Sequence, residues 1–308
     1  LKLNKHKVDK GRVIFTIVMI IIPLINFIVF TVYINIDTVF LSFQTRADDG
    51  RYLWNANPFK NYQDFFHDAF LPGSSIGKCI VNSLIYFVLN DVVIVPAAVL
   101  LTYILYKKIF MHKVFRIVFY LPCMISSVVL IMMYRFMFDS TFGIVNPLLR
   151  FLGLGSKIPE HGWLGTRWTA TGLIIGYCIW GGLGGSFILL ASAMGRIPED
   201  IVEAGKIDGV GFFRELWSIT IPLIGSTLAT LFMMGTTVIF TFFLQVKLLT
   251  NGQQDTATIM LFIVESVLSD TRDLSGAATV GMVVAIIGTP LVLLTRKIVD
   301  KVFPAYEI

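Results

Sequence analysis

Charged residues are scarce in this sequence. Only 15% of the 308 residues are Asp, Glu, Lys or Arg, against about 25% in ordinary soluble proteins. Hydrophobic residues make up 56% of the chain, and the mean hydropathy is +0.77. The shortage of charge excludes an ordinary soluble domain. The net charge of +5 is small and dispersed, and no basic stripe with interleaved aromatic residues indicates nucleic-acid binding.

Catalytic and metal-binding motifs are also missing. The sequence contains no G-x-x-x-x-G-K-[ST] phosphate loop, no H-E-x-x-H and no G-x-S-x-G, which are signatures of nucleotide hydrolysis, zinc peptidases and serine hydrolases. Three cysteines without metal-ligand spacing are predicted to be small buried hydrophobes: Cys79, Cys123 and Cys178. Four scattered histidines are predicted to be surface residues: His6, His67, His112 and His161. We therefore expect no catalytic residue, no metal site and no cofactor in this chain.

Long apolar runs are what the sequence has in abundance. A helix that crosses a bilayer needs about 20 consecutive, mostly apolar residues. Six such segments are predicted: 13–36, 79–106, 114–138, 169–194, 219–246 and 274–296. The first is longer than the apolar core of a signal peptide and no A-x-A cleavage site follows it, so we interpret it as a retained anchor. The fold class is therefore an all-α membrane protein with six transmembrane helices.

Lys and Arg residues predict the orientation of these helices. Cytoplasmic loops of membrane proteins carry an excess of both. With a cytoplasmic N-terminus, all four inner segments are basic, so both termini are expected in the cytoplasm. The chain is then divided into a cytoplasmic tail (1–12), a first transmembrane helix with an extracellular loop (13–78), a core transmembrane domain (79–296) and a second cytoplasmic tail (297–308). A cytoplasmic loop at 196–218 interrupts the core domain.

Three outer segments have smaller signals. Residues 57–66 are predicted to start a short interfacial helix. Residues 139–168 contain the Gly, Pro and Trp of a packed cap. Residues 254–270 are apolar but carry Glu265, so we predict a partly immersed helix and not a seventh span.

The loop at 196–218 has the pattern of a short helix, a turn and a second helix. Pro198 suits the first helical position, and Glu199 and Asp200 complement the dipole of the helix N-terminus. Gly209 and Gly211 are expected to interrupt the helix. Three apolar residues share one helical face: Ile201, Ala204 and Ile207. Docking on a soluble partner and lying at the membrane surface both explain this pattern.

Several motifs together resemble one family. Glu203-Ala204-Gly205 with Asp208-Gly209, then the segment 219–223, is similar to the "EAA" loop of ABC importer membrane subunits of the carbohydrate type, the maltose and glycerol phosphate class. Gly205 stands where that family usually has Ala. Further similar motifs are Asn82-Ser83, Leu121-Pro122, the segment 134–146, Trp180 with Gly182 and Gly184, and Leu249-Thr250-Asn251-Gly252, which lacks the usual Gly-Gly-Pro.

The resemblance implies a fold, partners and a mechanism. The fold is the type I ABC importer transmembrane fold in the bacterial cytoplasmic membrane. The partners are a second homologous permease subunit, two ATP-binding subunits and an extracellular solute-binding protein. The ATPases bind ATP and Mg, so this chain is not itself an enzyme. Residues expected to couple the chain to its ATPase are Ile201, Glu203, Ala204, Gly205, Ile207, Asp208, Gly209 and Phe212.

Polar and aromatic residues within the spans suggest a path for the solute. Candidates are Tyr86, Asn90, Asp91, Tyr177, Trp180 and Gln245. Ordinary packing is the alternative for each aromatic residue. Asp91, a charge in the middle of a span, is either an acceptor in the path or a structural partner for a neighbouring helix. Glu265 lines the outer cavity or reaches water, and Arg135 is expected to have a structural role at its helix end.

Three functions remain to be compared. The first is import of a sugar or oligosaccharide, and the second is the same machinery with a polyol or phosphate ester. The third is an ion-coupled secondary transporter that uses Asp91 and Glu265. Six spans without an inverted repeat count against the third. The sequence leaves open which sugar is carried, which of the two permeases holds most solute contacts, and whether the ATPase is shared.

Overall fold

A computed structural model describes residues 10–47, 49–269 and 273–302, and the chain is mostly helical there. Helix α1 comprises Lys10–Phe27, the π-helical stretch Ile28–Tyr33 and Ile34–Leu41. The strands that follow are β1 (Gln44–Arg46) and β2 (Tyr52–Trp54). The next helices are α2 (Lys60–Phe70), α3 (Ser75–Tyr106), α4 (His112–Met124), α5 (Ser127–Met137), α6 (Val145–Phe151) and α7 (Arg167–Met194). The last are α8 (Glu199–Ile207), α9 (Phe212–Leu223), α10 (Gly225–Thr241), α11 (Leu244–Leu249), α12 (Ile259–Leu268) and α13 (Leu274–Val302).

Four of these helices are long and apolar enough to cross a membrane. They cover Phe15–Leu41, Ser75–Tyr106, Arg167–Met194 and Leu274–Val299. Two pairs of helices, α4 with α5 and α9 with α10, meet the same criterion together but are bent. Counting each bent pair as one span gives the six predicted spans. The ends of the predicted tails, residues 1–9 with His6 and residues 303–308, lie outside the described residues.

The bent pairs lie where single spanning helices were predicted, at 114–138 and 219–246. The axes of α4 and α5 meet at 106°, and those of α9 and α10 at 79°. Pro122 lies inside α4, two residues before its last residue, and Ile125 then adopts an extended conformation. Proline removes a helical hydrogen bond and crowds the preceding turn, which explains the early end of α4. Pro222 stands in the last turn of α9 in the same way.

The second span, α3, contains a widened turn. Leu89–Ile94 is π-helical, and Pro96 follows in the next turn. Pro96 has no N–H for the carbonyl four residues earlier, so the regular pattern of hydrogen bonds is broken here. π-Helical turns are frequent at functional sites. This one carries Asn90 and Asp91.

The main apolar core lies between α3, α7, α9 and α10. Its fully buried members include Ala98, Tyr103, Leu190, Met194 and Ile224. In contrast, the apolar part of α1 is exposed along its length in this single chain. Only the end of α1, Ile34–Leu41, packs closely on another span, α13. Helices α4 and α7 approach each other closely at Gly184, where an added Cβ would stand 2.5 Å from the Phe119 carbonyl oxygen.

The segment between α1 and α3 forms a small lobe. Strands β1 and β2 pair antiparallel with Thr45 opposite Leu53. This hairpin was not predicted, although Asp49-Gly50 is a typical hairpin turn and Gly50 has φ +84°. The predicted helix near residues 57–66 is confirmed as α2, which buries Phe65. Helix α12 has 10 residues, about 15 Å, which is too short to cross a membrane core of about 30 Å.

The predicted cap at 139–168 is only partly packed. The Trp163 indole N–H donates to Asn146 Oδ1 at 2.8 Å. The Asp139 carboxylate accepts the backbone N–H groups of Phe142 and Thr141, which holds the pKa of Asp139 below its usual range. Other large side chains of the segment are exposed, including Phe151.

The cysteines were predicted to be buried. Cys79 is buried and Cys178 half-buried, but Cys123 is exposed. The prediction was therefore wrong for Cys123, which lies in the last turn of α4 just before the bend, where contact with α7 near Gly184 leaves part of it open.

Candidate functional site

A cavity of about 360 Å³ opens between the second, third, fourth and fifth spans. Four of the six candidate path residues line it together: Tyr86, Asn90, Tyr177 and Gln245. They come from α3, α7 and α11, up to 159 positions apart in the chain. Their common placement is therefore a product of helix packing.

The cavity wall combines aromatic faces with neutral polar groups. Tyr86 and Phe242 lie against each other with ring centroids 4.5 Å apart, and Asn90, Ser127 and Gln245 supply amide and hydroxyl groups. Among the described residues that line the cavity, none is charged. Aromatic faces with a few hydrogen-bonding groups suit a neutral polar molecule that also has apolar faces.

Asp91 lies beside this cavity and faces another helix. Its carboxylate accepts a hydrogen bond of 3.1 Å from the side-chain amide of Asn90. A Cβ added to Gly235 would stand 1.7 Å from Asp91 Oδ1, so α3 and α10 approach closely here. The buried Asp91 therefore lies at the contact between α3 and α10.

Trp180 also lies next to the cavity. Its ring stacks on Tyr134, with centroids 6.0 Å apart and an interplanar angle of 22°. Tyr134 in turn packs edge-on against Tyr177. Trp180 thus supports a cavity-lining tyrosine through an aromatic cluster.

Glu265 and Arg135, which the sequence also singled out, have partners at the end of the bundle opposite α8. Glu265 Oε1 lies 3.0 Å from the Lys247 ammonium. Arg135 donates to the Leu248 carbonyl oxygen at 3.0 Å, which ties α5 to α11. Each of these contacts joins two helices of the chain.

At the other end, which we call the loop end, α8 closes with a Schellman motif. The N–H of Val210 donates to the Gly205 carbonyl at 2.9 Å, and the N–H of Gly209 donates to the Lys206 carbonyl at 3.1 Å. Gly209 has φ +72°, a conformation that glycine adopts without a Cβ clash. The predicted turn at Gly209 is confirmed. The helix begins at Glu199, one residue later than predicted, with Pro198 as its cap.

Helix α8 is buried at Gly205 and exposed at most of its other positions. Gly205 is buried against Ile219, whose Cδ1 would stand 2.9 Å from an added Cβ. The predicted docking residues remain open, and Ile201, Ala204 and Ile207 are all exposed. Ile207 is 87% exposed. Glu203 and Asp208 are exposed as well.

Phe212 differs from the other predicted docking residues. Its ring lies 4.8 Å from that of Tyr103 on α3, and it is 40% exposed. Phe212 therefore makes a contact within the chain, and part of its surface stays open.

Three residues of the loop end were missed by sequence reasoning. Glu215 is buried and its carboxylate pairs with the Lys107 ammonium. The Tyr103 hydroxyl donates to the Phe212 carbonyl at 3.2 Å. A signal was present, since Glu215 is an acid directly before a long apolar run, where a carboxylate needs a partner.

Comparisons with known proteins agree with this geometry. Residues 94–304 match the family "Binding-protein-dependent transport system inner membrane component". The chain is 30% identical over 286 residues to the probable ABC transporter permease protein YurN of Bacillus subtilis (strain 168), covering 91% of this chain and 94% of that protein. It is 29% identical over 224 residues to the polygalacturonan/rhamnogalacturonan transport system permease protein YteP of the same organism, covering 71% and 68%.

A solved structure has the same fold. It is a chain of a bacterial alginate ABC transporter in complex with an alginate pentasaccharide-bound periplasmic protein. The TM-score is 0.78, with 21% sequence identity over 96% of this chain and 98% of that chain.

Proposed function

Because this chain belongs to the family of binding-protein-dependent transport system inner membrane components, it is a permease subunit of an ABC importer, and we propose that it carries an uncharged saccharide. Such an importer works with a second permease subunit, with ATP-hydrolysing subunits and with a solute-binding protein. The cavity carries the proposal for the cargo, because its described lining is aromatic and polar without charge. The relative named for polygalacturonan and rhamnogalacturonan transport supports a saccharide as the class of cargo. Because polygalacturonan is itself acidic, the proposal that the cargo is uncharged rests on the cavity lining alone.

The residues of the cavity would act on the sugar in two ways. The rings of Tyr86 and Tyr177 present apolar faces on which the C–H face of a sugar ring packs. The amides of Asn90 and Gln245 each offer a donor and an acceptor to sugar hydroxyls.

The exposed face of α8 is proposed to dock on an ATP-binding partner. Ile201, Ala204 and Ile207 would be buried there, and Glu203 and Asp208 would meet polar groups at its edge. The loop end is then cytoplasmic, together with both termini, and the division of the chain at residues 12, 78 and 296 follows. ATP and Mg are bound by the partner, and this chain responds to the partner's movement.

Purification and uptake test the proposal. The tagged chain is isolated in mild detergent from its native host, and a second permease and an ATP-binding subunit are expected to accompany it. The complex is then placed in vesicles with ATP, and uptake of labelled neutral oligosaccharides is compared with uptake of acidic ones and of polyols. Uptake of neutral saccharides supports the proposal. Uptake restricted to polyols or to acidic saccharides contradicts it.

A further inference from the structure

One helix connects the cavity to the loop end. Helix α3 carries Tyr86 and Asn90 at the cavity, and Tyr103 lies near its other end. At about 1.5 Å per residue, Tyr86 and Tyr103 are about 25 Å apart along the helix. The π-helical turn Leu89–Ile94 and Pro96 lie at the cavity end of this stretch, so a movement imposed at Tyr103 is passed to the cavity through that turn.

The first turn of α9 is fastened to that end of α3 by three contacts. The Tyr103 hydroxyl donates to the Phe212 carbonyl at 3.2 Å, and the rings of these two residues are 4.8 Å apart. The Lys107 ammonium pairs with the Glu215 carboxylate and lies 5.5 Å from the centre of the Tyr103 ring. We call Tyr103, Lys107, Phe212 and Glu215 the loop–span link.

Burial makes this link resistant to sliding. Glu215 is 5% exposed and Tyr103 is fully buried. A shift of α9 along α3 would leave the Glu215 carboxylate without its cation, and an unpaired buried charge is strongly unfavourable. Leu216, directly after Glu215, joins the same apolar core as Tyr103. The start of α9 and the end of α3 therefore move together.

The link also receives the movement of α8. Helix α8 rests on α9 through Gly205 and Ile219, and the Schellman motif at Gly209 joins the two helices by a short, ordered turn. Force on the exposed face of α8 thus passes first to α9.

Resting on the proposed function, we propose that Lys107, Glu215 and Tyr103 are positioning residues that transmit the movement of α8 to the second span and so to the cavity. None of the three lines the cavity, and none of them belongs to α8. Removing the ion pair is expected to leave the partner ATPase active but to disconnect its cycle from the cavity.

The test compares single and paired substitutions in the intact complex. The singles are Lys107→Met and Glu215→Gln, and the pair is the reversal Lys107→Glu with Glu215→Lys. Lys108→Met, at the adjacent exposed lysine, is the matched control. Uptake per ATP hydrolysed is expected to fall about tenfold in each single, within the usual range of coupling between sites, and to recover in the reversal. The proposal would be overturned if Lys107→Met and Glu215→Gln both kept the uptake per ATP hydrolysed of the parent. It would also be overturned if the charge reversal did not restore this ratio above that of the single variants.

A second measurement, the labelling of a cysteine in the cavity, does not require a transported saccharide. Cys123 is exposed and lines the cavity, so its labelling by a thiol reagent can report ATP-driven opening after Cys79 and Cys178 are replaced by Ala. ATP is expected to change the labelling rate in the intact complex and not in the singles. If ATP changed the labelling rate of Cys123 equally in the intact complex and in the single variants, the proposed role of the loop–span link would be contradicted. If the intact complex responds to ATP but takes up no saccharide, the proposed cargo fails while the link is still measured.

Cross-linking covers the case in which a single variant does not assemble. Lys107→Cys with Glu215→Cys, in a chain without the three native cysteines, is joined by a short thiol cross-linker. A rigid link predicts that the joined complex keeps its ATP-driven uptake. Loss of uptake on joining, with recovery when a cleavable linker is cut, would show that the two positions must separate and would refute the proposal.

Discussion

The turn after α8 depends on the backbone conformation of Gly209. Its φ of +72° is unfavourable for any residue with a Cβ. Gly211, two residues later, has φ −73° and open space around it. The two glycines therefore form a natural pair of test and control.

We expect Gly209→Val to impair coupling and Gly211→Ala to be tolerated. The left-handed conformation costs a side chain about 1–2 kcal/mol, enough to favour a different turn and to redirect α8. Uptake and ATP hydrolysis are measured in vesicles, with co-purification of the ATPase as the check on assembly. Equal uptake by Gly209→Val and the parent would show that the turn is not required.

Gln245 provides a residue test of the cavity. Gln245→Ala removes two hydrogen-bonding groups from the wall, and each hydrogen bond to a neutral solute contributes about 0.5–1.5 kcal/mol. If the saccharide uses one of these two groups, we expect a roughly 3- to 10-fold weaker apparent affinity, with the ATPase rate unchanged. The exposed Gln253 on the loop after α11 is the control, as Gln253→Ala. An unaltered affinity in Gln245→Ala would place the solute elsewhere.

The elements of this protein pack through small residues at defined points. Gly235 on α10 receives the Asp91 carboxylate of α3, with room for no Cβ. Gly281 on α13 has nothing within 4 Å of an added Cβ among the described residues. Close approach of spans through small residues is common in membrane bundles.

Gly235→Ala is expected to destabilise the bundle, and Gly281→Ala to leave it nearly unchanged. Overpacking of a close contact costs about 1–3 kcal/mol, and the displaced Asp91 would also lose its place beside Asn90. Thermal unfolding in detergent, followed by loss of the monodisperse complex, measures the difference. Equal unfolding temperatures for the two variants would argue against a tight contact at Asp91.

The course of each span depended on more than its hydropathy. The runs at 114–138 and 219–246 were each predicted as one spanning helix, and both are bent. Hydropathy indicates that a segment prefers lipid or a protein core, but it does not indicate where the helix axis bends. Pro122 and Pro222 were the visible signals, and the angles depend on which helices they pack against.

The molecule as a whole has no suitable pair of groups for ion coupling among its described residues. Asp91 packs against Gly235 and Glu265 pairs with Lys247, so neither carboxylate enters the cavity. Transport by this chain is therefore expected to depend on ATP and not on an ion gradient. Collapse of the proton and sodium gradients, with ATP held constant, should leave uptake unchanged in vesicles. A loss of uptake under those conditions would favour the ion-coupled alternative.

Properties that depend on neighbours in the chain could be predicted from the sequence. Apolar runs, the helical period of Ile201, Ala204 and Ile207, and the turn at Gly209 all arise from local preferences. The cavity and the loop–span link could not be predicted. Lys107 and Glu215 are 108 positions apart, and Tyr86 meets Gln245 across one cavity only because several helices pack together. Such contacts depend on how whole helices fit against one another, and no short stretch of sequence specifies that fit.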